Sequence, residues 1–321
     1  MKSSSLLTLL EDRRIHSGES LAQTLGISRT AVWKQIRRAI SEGVEIRTVR
    51  GQGYQLISAL DLLASERILK ALPEPLHTVV NLDVLDAVDS TNAEVARRLT
   101  AGVEGVPVVV SDSQTAGRGR RGRQWVSPQG ENLYLSLGLS IEGGFSALDG
   151  MSLVLGVAVS RALSTFGAKD VGLKWPNDLF YGDRKLGGIL VEIQGELQDG
   201  VVQVIAGIGI NVHMRQAETV DQPWTSLAEA WPDIVWTRNT LAAAIVSEVI
   251  KITAEFERQG FSSFREEWQA RDIFFNQELV ARDGGAQGMG AGIDATGNYQ
   301  VDTADGRMAI RAGDISLRVR S

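Results

Sequence analysis

Apolar residues recur at helical spacing through residues 1–40. Leucines crowd positions 6 to 10 and return at 21 and 25, while Val32, Ile36 and Ile40 fall on one stripe. This spacing predicts three amphipathic helices, the third running from Ser28 to about Ile40. Ser28 stands just before that stripe and has the short polar side chain of a helix N-cap.

The pattern that follows is typical of a β-hairpin. Short alternating runs at 44–49 and 54–57 flank the turn Arg50-Gly-Gln-Gly, whose tip is basic. Two helices joined by a short turn, the second with a basic outer face, and a hairpin after them predict a winged helix-turn-helix domain over residues 1–60. The residues that we expect to face DNA are Ser28, Arg29, Thr30, Trp33, Lys34, Arg38 and Arg50.

Charge favours DNA binding over the alternative, a three-helix packing module whose charged face is merely solvated. Residues 1–60 carry nine Lys/Arg against five Asp/Glu, whereas the rest of the chain carries 24 against 34. Only the N-terminal segment therefore has the sign to approach nucleic acid unaided. Trp33 suits packing as well as contact with DNA.

Length and composition indicate an ordinary globular chain of two or three domains. It has 321 residues, of which 43% are hydrophobic, and this is enough for substantial cores. There is no cysteine, and the three histidines lie far apart in sequence, so we expect neither disulfides nor a local metal motif. No apolar run reaches membrane-spanning length and the N-terminus lacks a secretory pattern, and we expect a cytoplasmic protein.

A linker and a larger α+β domain follow the winged helix. Residues 61–80 hold a short helical stretch broken by Pro73-Glu-Pro75, and we interpret them as the linker. Over residues 81–273, strand-like runs alternate with helical patterns, and one stretch, 148–167, is apolar on nearly every side and predicts a buried core helix. Two glycines in the buried strand at 201–211 predict close approach of a flat ligand ring to the backbone.

A helix start follows the first strand of this domain. Ser90, Thr91 and Asn92 open the helix, with Thr91 and Glu94 spaced as a capping box. Capping alone would explain these polar residues.

The C-terminal residues 274–321 change to short alternating strands separated by turns, including turns at 283–285 and 312–314. This pattern predicts a small β-barrel.

The chain's most distinctive stretch lies at residues 113–125. Three glycines alternate with four arginines in Gly117-Arg-Gly-Arg-Arg-Gly-Arg-Gln-Trp125, between two strand-like runs. Glycine permits unusual backbone conformations, and guanidinium groups bind phosphate and carboxylate bidentately, so this Gly-Arg loop predicts an anion-binding site mounted on a sheet. A disordered nucleic-acid-binding tail fits less well because the stretch does not repeat.

The Gly-Arg loop resembles the adenylate-binding loop of biotin protein ligases. Lys174-Trp-Pro-Asn-Asp178 with Arg184-Lys-Leu-Gly-Gly-Ile-Leu190, and Gly207-Ile-Gly-Ile-Asn211, resemble further signatures of that family. With a winged helix in front, nearly the whole chain resembles the bifunctional BirA type, in which the ligase also represses biotin synthesis genes. The resemblance implies a class II synthetase-like mixed-sheet ligase domain, and an SH3-like barrel at the C-terminus.

The resemblance also implies site residues. Those expected to act in catalysis are Lys185, Arg120, Arg118 and Asp178, with Asp178 also a magnesium ligand. Those expected to bind biotin are Ser90, Thr91, Asn92, Gln114, Gly117, Arg118, Gly119, Arg120, Lys185, Gly207 and Gly209. Those expected to bind ATP or the adenylate are Arg121, Arg123, Trp125, Asn177 and Asn211.

The implied reaction consumes biotin and ATP with Mg²⁺, forms biotinyl-5′-AMP and transfers biotin to a lysine of the biotin carboxyl carrier protein of acetyl-CoA carboxylase. The implied partners are this carrier, operator DNA and a second copy of the chain when the adenylate is bound. Two alternatives remain open: a biotin-sensing transcription regulator without ligase activity, and a lipoate-type ligase that shares the large-domain fold.

Overall fold

The structure is a computed structural model that describes residues 3–41, 44–57, 61–198, 200–217, 220, 222–281, 287–312 and 317–319. The chain divides into two compact units, residues 1–64 and 65–321. None of the helices in the described residues has both the length and the apolar character needed to cross a membrane.

The first unit is a winged helix-turn-helix, as the sequence predicts. Its elements are helices α1 (Ser3–Leu10), α2 (Gly18–Leu25) and α3 (Arg29–Ser41), and strands β1 (Ile46–Val49) and β2 (Gly53–Leu56).

Buried leucines of α1 and α2 pack against the inner face of α3 and against β2 in one core cluster. Ser28 caps α3 by accepting a hydrogen bond from the Ala31 N–H at 3.2 Å. One detail of the expected stripe is wrong: Ala39 is buried and Ile40 is exposed, because the helix turns its buried side from Ile36 to the position three residues on.

The second unit begins with elements that build a mixed sheet and its covering helices. In chain order these are α4 (Ser65–Ala71), β3 (Val80–Leu85), α5 (Thr91–Thr100), β4 (Val106–Ser111), β5 (Asn132–Glu142), α6 (Met151–Thr165), β6 (Gly172–Lys174), β7 (Asp178–Tyr181), β8 (Arg184–Gln198), β9 (Val201–Asn211), α7 (Leu227–Ala230), α8 (Arg238–Gln259) and α9 (Arg265–Gln269).

Seven described strands form one sheet in the order β3-β4-β5-β9-β8-β7-β6. The β3–β4 pair is parallel and the other neighbours are antiparallel. Helix α5 packs on β4, β5 and β9, and α6 packs against α8. Register places Val109, Ser136 and Gly207 side by side across β4, β5 and β9, so this row shares one face of the sheet. Val109 packs in a cluster with Val95 of α5, which identifies that face as the one beneath α5.

The predicted core helix is confirmed, since most residues of α6 are buried, including Leu155 and Val159. The stretch expected to be a linker contains α4, which packs on α8 through the fully buried Ile68. The compact second unit accordingly begins at Ser65, ahead of residue 81.

The capping box expected at Thr91 and Glu94 is wrong. Ser90 is the N-cap and makes no side-chain capping bond. The first helical N–H, that of Thr91, donates instead to Gln114 Oε1 at 2.9 Å. The Glu94 carboxylate turns outward to Arg97 and Arg98, because these cations lie three and four residues on, along the same helical face.

The C-terminal strands are β10 (Glu278–Ala281), β11 (Gln287–Ile293), β12 (Tyr299–Thr303), β13 (Gly306–Ile310) and β14 (Leu317–Val319). They form an antiparallel sheet in the order β13-β12-β11-β10-β14, consistent with the SH3-like fold. The predicted turn at 283–285 and most of the turn at 312–314 lie outside the described residues. A hydrogen bond of 3.0 Å from Trp175 Nε1 to the Gly297 carbonyl ties this sheet to the large one.

Candidate functional site

A cavity of about 240 Å³ opens on the face of the large sheet that α5 covers. Its walls come from the N-terminus of α5, the Gly-Arg loop, the adjoining ends of β6, β7 and β8, the glycines of β9, and the C-terminal strand β14. Sequence segments more than 200 residues apart therefore meet at one site.

One end of the cavity is a buried network of neutral polar groups. Ser136 Oγ lies 2.8 Å from Thr91 Oγ1 and 2.6 Å from Asn92 Oδ1. Thr91 in turn reaches Gln114 Oε1 through its side chain at 3.2 Å, and Gln114 Nε2 donates to Ser127 Oγ at 3.1 Å. These contacts hold each amide and hydroxyl in place, and an ordered array of donors and acceptors suits a small polar ring.

The Gly-Arg loop is folded into a small hairpin of its own. The Gly119 N–H donates to the Arg123 carbonyl at 2.7 Å, and the Trp125 N–H donates to the Gly117 carbonyl at 2.9 Å. Gly122, at the tip, has a φ of +70°, which explains a glycine there. The backbone thereby carries the arginines to the rim of the cavity.

Trp125 lies across the glycines of the sheet. A Cβ atom at Gly209 would come within 2.7 Å of the indole, and one at Gly188 within 3.3 Å. Gly207 has the same relation to Asn92, whose Oδ1 would lie 2.1 Å from a Cβ there. We expected a ligand to approach the backbone closely at these glycines. In this structure the side chains of Trp125 and Asn92 pack against the glycine backbone instead.

Cationic groups gather at the other end of the cavity. Lys185 Nζ lies 2.9 Å from Asp178 Oδ1 and 5.4 Å from the centroid of the Trp125 ring. Arg120 donates to Asn177 Oδ1 at 3.2 Å. Burial lowers the pKa of Arg120 from its ordinary value, while the nearby Asp178 charge acts in the opposite direction. A partly desolvated guanidinium bound to a neutral amide is well placed to receive an anion.

The backbone of Lys185 is held on both sides. Its N–H donates to the Pro223 carbonyl at 3.0 Å, and its carbonyl accepts from the Thr225 N–H at 2.9 Å. Asn211 Nδ2 donates to the Thr225 carbonyl at 2.9 Å, behind the same pairing. The lysine side chain is thus aimed by two hydrogen bonds from outside its own hairpin.

Most of the expected ligase residues line this one cavity. The residues brought together there are Ser90, Thr91, Asn92, Gln114, Arg118, Gly119, Arg120, Arg121, Arg123, Trp125, Asn177, Asp178, Lys185, Gly207 and Gly209.

Two expected residues lie away from the cavity. Gly117 is buried at the base of the hairpin, where a Cβ would lie 2.7 Å from the Trp125 carbonyl oxygen. Asn211 is buried beneath the Lys185 segment.

Several cavity or near-cavity residues were missed by the sequence analysis. Lys174 lies within an interpreted motif, but its placement over the Phe180 and Phe274 rings could not be read from the motif. Arg318 reaches the cavity from β14, and no local pattern signals this. Glu192, on β8, accepts from Asn92 Nδ2 at 2.7 Å and from Arg118 Nη2 at 3.2 Å. An acidic residue within an otherwise apolar strand pattern was the available signal for Glu192.

No group of three or more His, Cys, Asp or Glu side chains in the described residues could hold a metal ion. At the cationic end of the cavity, Asp178 is the carboxylate next to Lys185 and Arg120. A metal carried in by phosphate oxygens and water needs as little as one such protein ligand.

A second groove lies within the winged helix, between α2, α3 and the hairpin tip. Arg29, Thr30, Trp33 and Arg50 line it. Lys34 and Arg38 are exposed on α3 outside the groove lining, and Ser28 acts as the α3 cap. Trp33 is 51% exposed, with the Arg37 guanidinium 5.7 Å from its ring centroid, so it does not belong to the core of this unit.

Comparison with known proteins gives concordant matches to both units. A model of the biotin/lipoate A/B protein ligase family matches residues 84–211, and an HTH domain model matches residues 2–55. The bifunctional ligase/repressor BirA of Escherichia coli (strain K12) is 39% identical, over 98% of this chain and 96% of its own.

Two further relatives match the larger unit's share of the chain. A biotin–[acetyl-CoA-carboxylase] ligase of Paracoccus denitrificans is 33% identical, over 72% of this chain and 98% of its own. A solved structure of a biotin protein ligase from Aquifex aeolicus in complex with biotin and ATP has a TM-score of 0.66 and 30% identity, and covers 75% of this chain and 99% of that chain.

Proposed function

The chain belongs to the family of bifunctional biotin protein ligases and repressors, and on that premise we propose that it activates biotin with ATP, transfers the biotin to a carrier protein, and represses biotin synthesis genes. The observation that carries the ligase activity is the two-ended cavity. A hydrogen-bonding network of amide and hydroxyl groups at one end suits the ureido ring of biotin, and a cluster of cations at the other end suits a carboxylate meeting a phosphate.

In the first step, a biotin carboxylate oxygen forms a bond to the α-phosphorus of ATP, and the bond from that phosphorus to pyrophosphate breaks. Two anions must be brought together, so the protein's main contribution is alignment and positive charge. Arg120 and Lys185 supply charge at the cationic end of the cavity, Arg121 and Arg123 extend it along the rim, and Arg118 adds a further cation from its position beside Glu192. Asn177 and Trp125 form the surroundings proposed for the nucleotide, and the buried Asn211 acts from outside the cavity by supporting the Lys185 segment.

Magnesium is proposed as the ion that accompanies ATP, held by phosphate oxygens and water with Asp178 as a protein ligand. It would supply charge neutralisation on the phosphates. In this structure the Asp178 carboxylate forms an ion pair with Lys185. Bound phosphate would give Lys185 a second anion to bind, and a magnesium ion would compete with the ammonium for that carboxylate.

In the second step, the amino group of the carrier lysine attacks the carbonyl of biotinyl-5′-AMP, and AMP leaves with the electron pair of the broken bond. The attacking ammonium must first lose a proton. Asp178 is the carboxylate beside the reacting end of the cavity and is proposed to accept it. A transfer rate that does not change in Asp178→Asn would contradict this role.

The repressor activity is proposed for the first unit, with α3 in the DNA major groove and Arg50 at the backbone. The proposed partners are operator DNA, the biotin carboxyl carrier protein of acetyl-CoA carboxylase, and a second copy of the chain once the adenylate is bound. A two-fold operator needs a dimer to match it. We propose a cytoplasmic location, because ATP, the proposed carrier and the proposed operator would all be met there.

The test is pyrophosphate release from ATP by the purified chain with biotin or with lipoate, followed by a gel assay for label on a carrier domain. Release that depends on biotin, with a labelled carrier, is expected. Release with lipoate alone would make the chain a lipoate-type ligase. No release with biotin, together with tight DNA binding that responds to biotin, would make it a regulator without ligase activity.

A further inference from the structure

Glu192 stands where two parts of the site converge on β8. A single carboxylate oxygen, Oε2, accepts hydrogen bonds from Asn92 Nδ2 at 2.7 Å and from Arg118 Nη2 at 3.2 Å. Asn92 opens helix α5 at the ring end of the cavity, and Arg118 belongs to the Gly-Arg loop. These two segments share this one acceptor.

The contacts of Asn92 determine which end of its amide is the nitrogen. Its two acceptor neighbours, Glu192 Oε2 and the Leu190 carbonyl at 3.4 Å, require a donor on that side. The opposite atom is then the oxygen, which accepts from Ser136 Oγ at 2.6 Å and rests on Gly207. Without the carboxylate, the amide would lose its charged partner and the stronger of the two constraints on its direction.

Arg118 connects the same carboxylate to the Gly-Arg loop through an ion pair. Its side chain is half exposed, and the ion pair with Glu192 joins the hairpin base to the sheet. An exposed ion pair by itself stabilises weakly. Because the same oxygen also binds the buried Asn92, the position of the acceptor does not depend on Arg118.

We propose that Glu192 is a positioning residue that orients Asn92 toward the ring of the substrate and tethers the Gly-Arg loop over the same pocket. The inference rests on the proposed biotin ligase activity and adds to it a group that touches neither reacting atom. It predicts that ring recognition and loop placement weaken together when the carboxylate is removed.

The experiment compares Glu192→Ala, Glu192→Gln and the wild type in biotin-dependent exchange of pyrophosphate into ATP. Glu192→Ala is expected to raise the KM for biotin about tenfold or more, as loss of a charge-assisted hydrogen bond does, and to raise the KM for ATP by a smaller factor, because the loosened loop also carries Arg121 and Arg123. Glu192→Gln keeps an acceptor oxygen, and its KM for biotin is expected to lie between those of the wild type and Glu192→Ala. The matched control is Gln194→Ala, two residues along the same strand, whose amide makes a 3.4 Å contact with Thr100 Oγ1.

Limited trypsin digestion of the ligand-free proteins measures the tether directly, since the loop contains four arginines. Faster cleavage in Glu192→Ala than in Gln194→Ala is expected, at matched thermal stability. An unchanged KM for biotin in folded Glu192→Ala, an equal rise in both KM values, or equal cleavage rates would each overturn the inference. Absence of biotin-dependent exchange in the wild type would instead refute the proposed function, and the cleavage rates alone would then decide the role of Glu192.

Discussion

Replacement of Lys185 by methionine separates the catalytic contribution of its ammonium group from its structural one. Methionine keeps most of the apolar stem and removes the charge. If Lys185 stabilises charge that develops as the carboxylate meets the α-phosphate, the exchange rate at saturating biotin and ATP should fall about 10²- to 10³-fold, which corresponds to roughly 3–4 kcal/mol.

The same change also breaks the ion pair with Asp178. The pair is 2.9 Å long, and its side chains are 13% and 22% exposed, so neither is fully solvated. Leaving Asp178 unpaired should lower the free energy of unfolding by about 1–3 kcal/mol, less than for a fully buried pair. Asp178→Asn in the same chain removes the stranded charge, and should restore most of the stability without restoring exchange.

The measurement combines urea unfolding with pyrophosphate exchange for both single variants, the double variant and Lys251→Met, whose lysine is 68% exposed on α8. Lys251→Met should match the wild type in both assays. Exchange by Lys185→Met within tenfold of the wild type would refute the reasoning, and so would recovery of exchange in the double variant.

Three further outcomes are expected. Arg120→Gly should leak free biotinyl-5′-AMP and label lysines indiscriminately, because a cation that holds the adenylate in the cavity is lost, and retained carrier specificity in a mass-spectrometric survey would count against that role of Arg120. Gly209→Val should place side-chain atoms where Trp125 lies, raising the KM for both substrates, whereas unchanged kinetics would show that the indole is free to leave. Burial raises the pKa of Asp272 from 3.8 to about 6, so its protonated form is favoured by folding. Stability from this group should be fully present below about pH 4 and lost as the pH rises through 6, up to roughly 3 kcal/mol, and unfolding of Asp272→Asn should show a flatter pH dependence.

Apolar periodicity predicted the secondary structure of those segments whose helix or strand is determined by their own residues. Helix α3 with its serine cap and the buried strand at 201–211 have the bounds, or nearly the bounds, that periodicity gives. Tertiary partners decided the exceptions. The Thr91 N–H is capped by Gln114, which lies 23 residues along the chain, and this acceptor was not visible in the local capping pattern.

The site was predictable where a motif carries its chemistry within a few residues. The Gly-Arg loop and Lys185 are of this kind. Arg318 is not, since its presence at the cavity depends on how the C-terminal sheet packs. The presence of Glu192 at the site depends on the register between β8 and β9, because this register places its carboxylate on the same side of the sheet as Asn92.

The internal hydrogen bonds of the Gly-Arg hairpin bear on the entropy of ligand binding. A loop of nine residues ordered from a random chain would lose roughly 9–18 kcal/mol of backbone freedom. Gly117 and Trp125 are already joined, as are Gly119 and Arg123, so part of the segment's backbone freedom is lost before a ligand binds. The entropic penalty of adenylate binding should therefore be small, and the arginines should reach the phosphate together.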